Sequence, residues 1–163
     1  MPNNVEKMST NYSPNFNLDK RGKKNIKYLI FHYTGMKNDK LAIRKLTNFN
    51  SKVSCHYYIN QKGNLIQLVP DLYIAWHAGE SYWKNSKLLN KSSIGIEISN
   101  PGHEHGYKAF KTKQIKCLIK ISNLLIKKYR IKRQNILGHS DVAPLRKKIQ
   151  EKNFLGNFLQ VKK

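Results

Sequence analysis

Six histidines (His32, His56, His77, His103, His105 and His139) and one acid inside an apolar run, Glu97, are the residues whose types and placement could carry out catalysis. Imidazole both ligates divalent metals and moves protons near neutral pH. Single histidines are more often structural than catalytic, so placement decides which to follow. His32 closes an apolar stretch, residues 27–33, just before Thr34-Gly35, and His139 follows Gly138 at the end of another, residues 134–138. Both spacings put the ring at a strand end, where rigid side chains at a sheet rim can converge on an ion. A catalytic zinc takes three protein ligands, imidazole nitrogens at about 2.0–2.1 Å, and a water. Spacing alone goes no further. The chain has no HExxH pattern, and His103-Glu104-His105 reads as loop. Cys55 and Cys117 are too far apart for a metal knuckle and read as two reduced, packed thiols.

The elements that must position these groups follow from hydropathy. Residues 27–33 predict a buried central strand with His32 on the same face as Tyr28 and Ile30. Asp39 predicts the cap of a short helix with an apolar stripe of Leu41, Ile43, Leu46 and Phe49. Residues 53–60 and 65–69 predict two strands around a 61–64 turn. Residues 71–91 predict a long surface loop, and its Trp76, His77, Tyr82 and Trp83 suit a binding wall. In residues 93–98, Ile94, Ile96 and Ile98 point one way while Ser93, Gly95 and Glu97 point the other. The carboxylate there is either a surface group on an edge strand or a functional acid. Residues 112–129 predict the longest helix, a core scaffold facing inward with Ile115, Leu118, Ile119, Ser122, Leu125 and Tyr129.

The expected fold is α/β, a single domain whose central mixed β-sheet is flanked by helices. A chain of 163 residues holds one such core and hardly two. Residues 1–25 read as a polar, extended or poorly ordered arm. No apolar run is long enough to span a bilayer. The start lacks the apolar stretch of a secretory signal, so the expected location is cytoplasmic, or periplasmic or otherwise extracytoplasmic if the N-terminus is incomplete. Lys and Arg number 31 against 9 acids, a formal net charge of +22. Such a surface attracts polyanions, yet the lysines are spread along the whole chain. Abundant Lys, Asn and Ile with scarce Ala and Gly also fit AT-rich coding, and no nucleic-acid recognition motif accompanies the charge.

Five ordered motifs carry a specific resemblance: Leu29-Ile30-Phe31-His32-Tyr33-Thr34, Val53-Ser54-Cys55-His56-Tyr57, Ala75-Trp76-His77-Ala78-Gly79, Ser93-Ile94-Gly95-Ile96-Glu97 and Gly138-His139-Ser140-Asp141-Val142-Ala143-Pro144. Over residues 26–148 the chain resembles zinc-dependent N-acetylmuramoyl-L-alanine amidases of the AmpD/AmiD-like branch, relatives of the peptidoglycan recognition proteins. The resemblance implies zinc held by His32 and His139, Glu97 as the acid that activates water, and Lys147 as the oxyanion-stabilising cation. It implies a substrate groove walled by Trp76 and His77, with His56 in a motif near the site. The implied reaction is hydrolysis of the amide between the lactyl group of N-acetylmuramic acid and L-alanine, on peptidoglycan or muropeptides. Zinc would lower the pKa of water and polarise the carbonyl, and Glu97 would take and return the proton.

The likeness ends after Lys148. The family's third ligand is an Asp two residues past the lysine, usually in Asp-Pro-Gly; here that position is Ile149, and residues 149–163 form a non-family tail. Adding one adenine to a synonymous coding of residues 147–156 yields Lys-Lys-Asp-Pro-Gly-Glu-Lys-Phe-Pro-Trp, so the tail reads as a frameshift product of a one-base deletion. Without the anionic ligand, and with Arg146, Lys147 and Lys148 repelling a cation, zinc binding is expected to be weak and activity impaired. Asp141 is a conceivable substitute, though its family counterpart is not a ligand. The alternative reading is a non-catalytic peptidoglycan-binding remnant. A third, a basic nucleic-acid-binding protein, rests on net charge alone, and no specific nucleic acid is expected. Oligomeric state is not encoded legibly.

Overall fold

In the computed structural model, which describes residues 8–144, the strands in chain order are β1 (Ser9–Thr10), β2 (Phe16–Asn17), β3 (Tyr28–Tyr33), β4 (Tyr57–Ile59), β5 (Leu65–Gln67), β6 (Ile74–Ala75), β7 (Tyr82–Trp83), β8 (Ser86–Lys87), β9 (Ser93–Ile98) and β10 (Ile136–Gly138). The helices are α1 (Asp39–Thr47), α2 (Thr112–Tyr129) and the single turn α3 (His139–Val142). Six strands form one mixed sheet in the order β1-β5-β4-β9-β3-β10. β9 pairs in parallel with both β3 and β4, and β4 and β5 form the antiparallel hairpin.

The two faces of the sheet differ. Leu29 and Phe31 of β3, Tyr57 and Ile59 of β4, and Ile94, Ile96 and Ile98 of β9 pack under α2 against Leu118, Ile121 and Leu125. Near-continuous apolar runs are what parallel strands covered on both sides require. On the opposite face Tyr28 and Ile30 meet Ala78, Leu89, Leu137 and Val142. Further along that face Tyr58 packs with Ala42 and Leu46 of α1, beside Cys55.

Several expectations need correction. Asn38 caps α1, its side chain accepting from the Leu41 N–H. Asp39 instead accepts from the Tyr58 hydroxyl at 2.7 Å and from the Gln61 N–H, so its charge ties the helix start to the 61–64 turn. Ala42 and Leu46 are the buried side chains of α1, while Leu41 and Phe49 are exposed. The 71–91 segment contains β6, β7 and β8 rather than loop alone. Residues 8–25 are largely extended and exposed but anchored at a few buried side chains. β1 adds in parallel to β5, β2 pairs with β6, and Asn15 and Arg21 are buried. Arg21 satisfies its guanidinium with the carbonyls of Asp71 and Asn90. Polarity made this arm look loose; buried carbonyls that need donors hold it in place.

Candidate active site

The register of the parallel strands builds the site. His32 of β3 lies opposite Glu97 of β9, which lies opposite Tyr58 of β4, so the three form one row across the sheet. β9 is interior, which removes the reading of Glu97 as an edge-strand surface group. His139 arrives from the neighbouring strand. β10 ends at Gly138, and His139 opens α3 directly after it.

These placements bring two rings from distant stretches together. The Nδ1 atoms of His32 and His139 are 2.8 Å apart, with the ring planes at 78°, and both side chains are buried. Two imidazoles sharing one tetrahedral zinc at about 2.0–2.1 Å would hold their nitrogens about 3.3 Å apart. An opening of about half an ångström, with the bridging proton moved off Nδ1, would turn this contact into a ligand pair, and two neutral imidazoles fit a divalent ion. Asp141 does not extend the set: its carboxylate accepts from the Gly138 N–H at 2.8 Å and caps its own turn. Among the described residues no group of three His, Cys, Asp or Glu side chains converges to hold a metal. Lys147 and Ile149, the positions matching the catalytic lysine and third ligand of the resemblance, lie outside the described residues.

Glu97, His139, His77 and Trp76 line one cavity of about 170 Å³, together with Tyr33, Thr34 and Lys45. Trp76 is partly exposed there and donates its indole N–H to Asn17 at 2.6 Å. His77 lies deeper. Its Nδ1 is 3.0 Å from His32 Nε2 and its Nε2 is 3.1 Å from the Ser93 hydroxyl. Burial, reinforced by His56, His139 and Arg21, lowers its pKa well below the ordinary imidazole range. A Cβ at Gly95 would come within 2.4 Å of His77 Cγ, so the strand has glycine where the ring crosses it.

His56 lies behind the cavity wall rather than in it, and is fully buried. Its Nδ1 accepts from the Gly95 N–H at 3.0 Å, and its Nε2 is 3.1 Å from the Tyr73 carbonyl. Burial, with the nearby Arg21 charge, lowers its pKa to about 3. It is a neutral prop under the strand that carries Glu97. Cys55 is also fully buried, and burial first and the Glu97 charge second raise its thiol pKa.

Sequence reasoning missed three supporting residues. Asn90 accepts from the N–H groups of His77 and Ala78 and so fixes the turn after Trp76. Ser93 meets His77 from the polar face of β9. Arg21 reaches Asn90 from the N-terminal arm. Only Ser93 left a trace in the sequence, as the polar partner of Gly95 and Glu97 on an alternating strand.

This fold, with a histidine pair at the sheet rim and an acid in the adjoining strand, matches a known family. Over residues 22–153 the chain belongs to the N-acetylmuramoyl-L-alanine amidase family. It is 38% identical over 134 residues to N-acetylmuramoyl-L-alanine amidase AmiD of Escherichia coli, covering 75% of this chain and 48% of that protein. It is 35% identical over 96 residues to 1,6-anhydro-N-acetylmuramyl-L-alanine amidase AmpD of Citrobacter freundii, covering 59% of this chain and 49% of that one. The chain thus spans about half the length of these curated relatives.

Solved structures agree. A crystal structure of an AmpD derivative superposes with a TM-score of 0.80 at 25% identity, covering 96% of this chain and 94% of that one. The E. coli AmiD complex with anhydro-N-acetylmuramic acid-L-Ala-D-gamma-Glu-L-Lys superposes at 0.75 and 32% identity, covering 88% and 60%. No helix among the described residues is long and apolar enough to cross a membrane.

Proposed function

We propose that this chain is built to hydrolyse the amide between an N-acetylmuramoyl group and L-alanine in muropeptides or peptidoglycan, and that it does so weakly. The observation that carries the reading is the 2.8 Å approach of His32 Nδ1 to His139 Nδ1, with His139 and Glu97 lining one cavity. The relatives named for this amide bond and the neighbour bound to a muropeptide support the substrate class.

His32 and His139 would hold zinc, which when bound lowers the pKa of water and polarises a carbonyl. Glu97 takes a proton from the attacking water and returns it to the L-alanine nitrogen as the C–N bond breaks, leaving a lactyl carboxylate and a free amine. Trp76 and the exposed edge of the His77 turn wall the sugar-peptide junction. Lys147 offsets the negative charge that develops on the carbonyl oxygen.

In the sequence Ile149 replaces the family's anionic ligand, and loss of such a ligand costs on the order of a thousandfold in metal affinity. That feature favours a second reading, a muropeptide-binding remnant without turnover. Muropeptide cleavage with added zinc, measured on this chain beside Ile149→Asp and the frame-restored chain, separates the readings. The expected result is slow or absent cleavage here and a gain in the repaired chains. Micromolar or tighter zinc affinity with full turnover in the unaltered chain would refute the impairment. Muropeptide affinity without cleavage in all three selects the remnant.

A further inference from the structure

The zinc reading leaves one question about the residues behind His32: what decides which of its nitrogens carries the proton. A metal-binding imidazole must present a lone pair, and the other ring nitrogen must then hold the hydrogen.

A hydrogen-bond chain on the polar face of β9 answers it. The Ser93 hydroxyl donates to the Leu89 carbonyl at 2.6 Å. Its only proton is thereby committed, so toward His77 Nε2, 3.1 Å away, the oxygen accepts. His77 therefore carries its hydrogen on Nε2. A neutral ring has one N–H, which makes His77 Nδ1 an acceptor. That atom faces His32 Nε2 at 3.0 Å, so His32 donates from Nε2 and keeps a lone pair on Nδ1, which in the metal-free chain accepts from the Nδ1–H of His139 at 2.8 Å.

We infer that Ser93 and His77 are positioning residues that fix the tautomer of His32, so that its Nδ1 is ready to bind a metal before any metal arrives. The backbone is shaped to hold the chain in place. Gly95 leaves room for the His77 ring, and Asn90 pins the backbone of His77 and Ala78. His32, His77 and Ser93 are buried, which limits the competing water that would otherwise scramble the donors and acceptors.

The inference rests on the zinc reading for its purpose but not for its test. Histidine side-chain nitrogen spectra of the metal-free full chain, at about pH 8 where exposed imidazoles are neutral, distinguish the two tautomers. The unaltered chain is expected to show one form, with a pyridine-type Nδ1 and a pyrrole-type Nε2 at His32. Ser93→Ala and His77→Phe are expected to lose that single form, and Ser93→Thr, which keeps the hydroxyl, to retain it. Zinc affinity is expected to fall about 10- to 100-fold in the first two variants. A proton on His32 Nδ1 in the unaltered chain, or the same single tautomer in both Ser93→Ala and His77→Phe, overturns the assignment. The predicted tautomer in a frame-restored chain that takes up no zinc supports the relay and overturns the zinc reading instead.

Discussion

Strand β9 is one run of six residues with two unlike faces, and each face answers to a different demand. Toward α2 it shows Ile94, Ile96 and Ile98, all essentially buried among Leu118, Ile121 and Leu125. Toward the cavity it shows Ser93, Gly95 and Glu97: a hydroxyl, a bare backbone and a carboxylate. The isoleucine face works through volume, which many side chains could supply. The other face works through particular atoms at particular distances, and few substitutions preserve those. Stability and chemistry are thus divided across a single layer of polypeptide.

Four substitutions or conditions test that division, in falling order of their effect on stability. Ile96→Ala, which empties a fully buried site, is expected to cost about 2–5 kcal/mol in denaturant unfolding. The His32–His139 pair should survive it, so zinc uptake by the folded fraction stays unchanged. A loss of uptake alone, without destabilisation, would erase the contrast between the faces.

Acid comes next. His56 has a folded pKa of about 3 against 6.5 when free. Between those values the unfolded chain binds the additional proton. Stability from this source is therefore intact above pH 6.5 and declines as pH falls from 6.5 toward 3, at no more than about 1.4 kcal/mol per pH unit. His77, also held neutral by burial, acts in the same direction. Urea midpoints measured across this window should slope downward, and His56→Gln should flatten the slope.

Gly95→Ala places a methyl group 2.4 Å from His77 Cγ. The expected cost is about 1–3 kcal/mol, accompanied by displacement of His77 that calorimetric zinc titration would register as weaker binding. Smallest in stability is Glu97→Gln, an isosteric change expected to shift it by about 1 kcal/mol or less. Yet its cleavage rate, best measured in the frame-restored chain, should fall about 10²–10⁴-fold.

The sequence revealed the two faces unequally. The alternation in 93–98, the apolar run at β3 and the length of α2 were legible because burial leaves a periodic trace. The pairing of His32 with His139 came from motif order, not from spacing, since nothing local links residues so far apart. His56 illustrates the limit. Its motif lies near the site, but whether a ring faces the groove or the interior depends on which way the chain turns between Ser54 and Tyr57, and that is settled by Gly95 and Tyr73 from other elements. The extended path of the N-terminal arm was legible, but its anchors were not, for a similar reason. Arg21 and Asn15 look like solvent-exposed polar residues until the distant carbonyls that hold them are in view.

β10 is only three residues long and lies at the margin of the sheet, yet it delivers the second ring. His32 and His139 are separated by 107 positions, so they meet only when this margin has docked on β3. An ion shared by the two rings would then act as a clasp on this marginal seam. Fraying of that seam and release of the ion would be a single event seen from two sides.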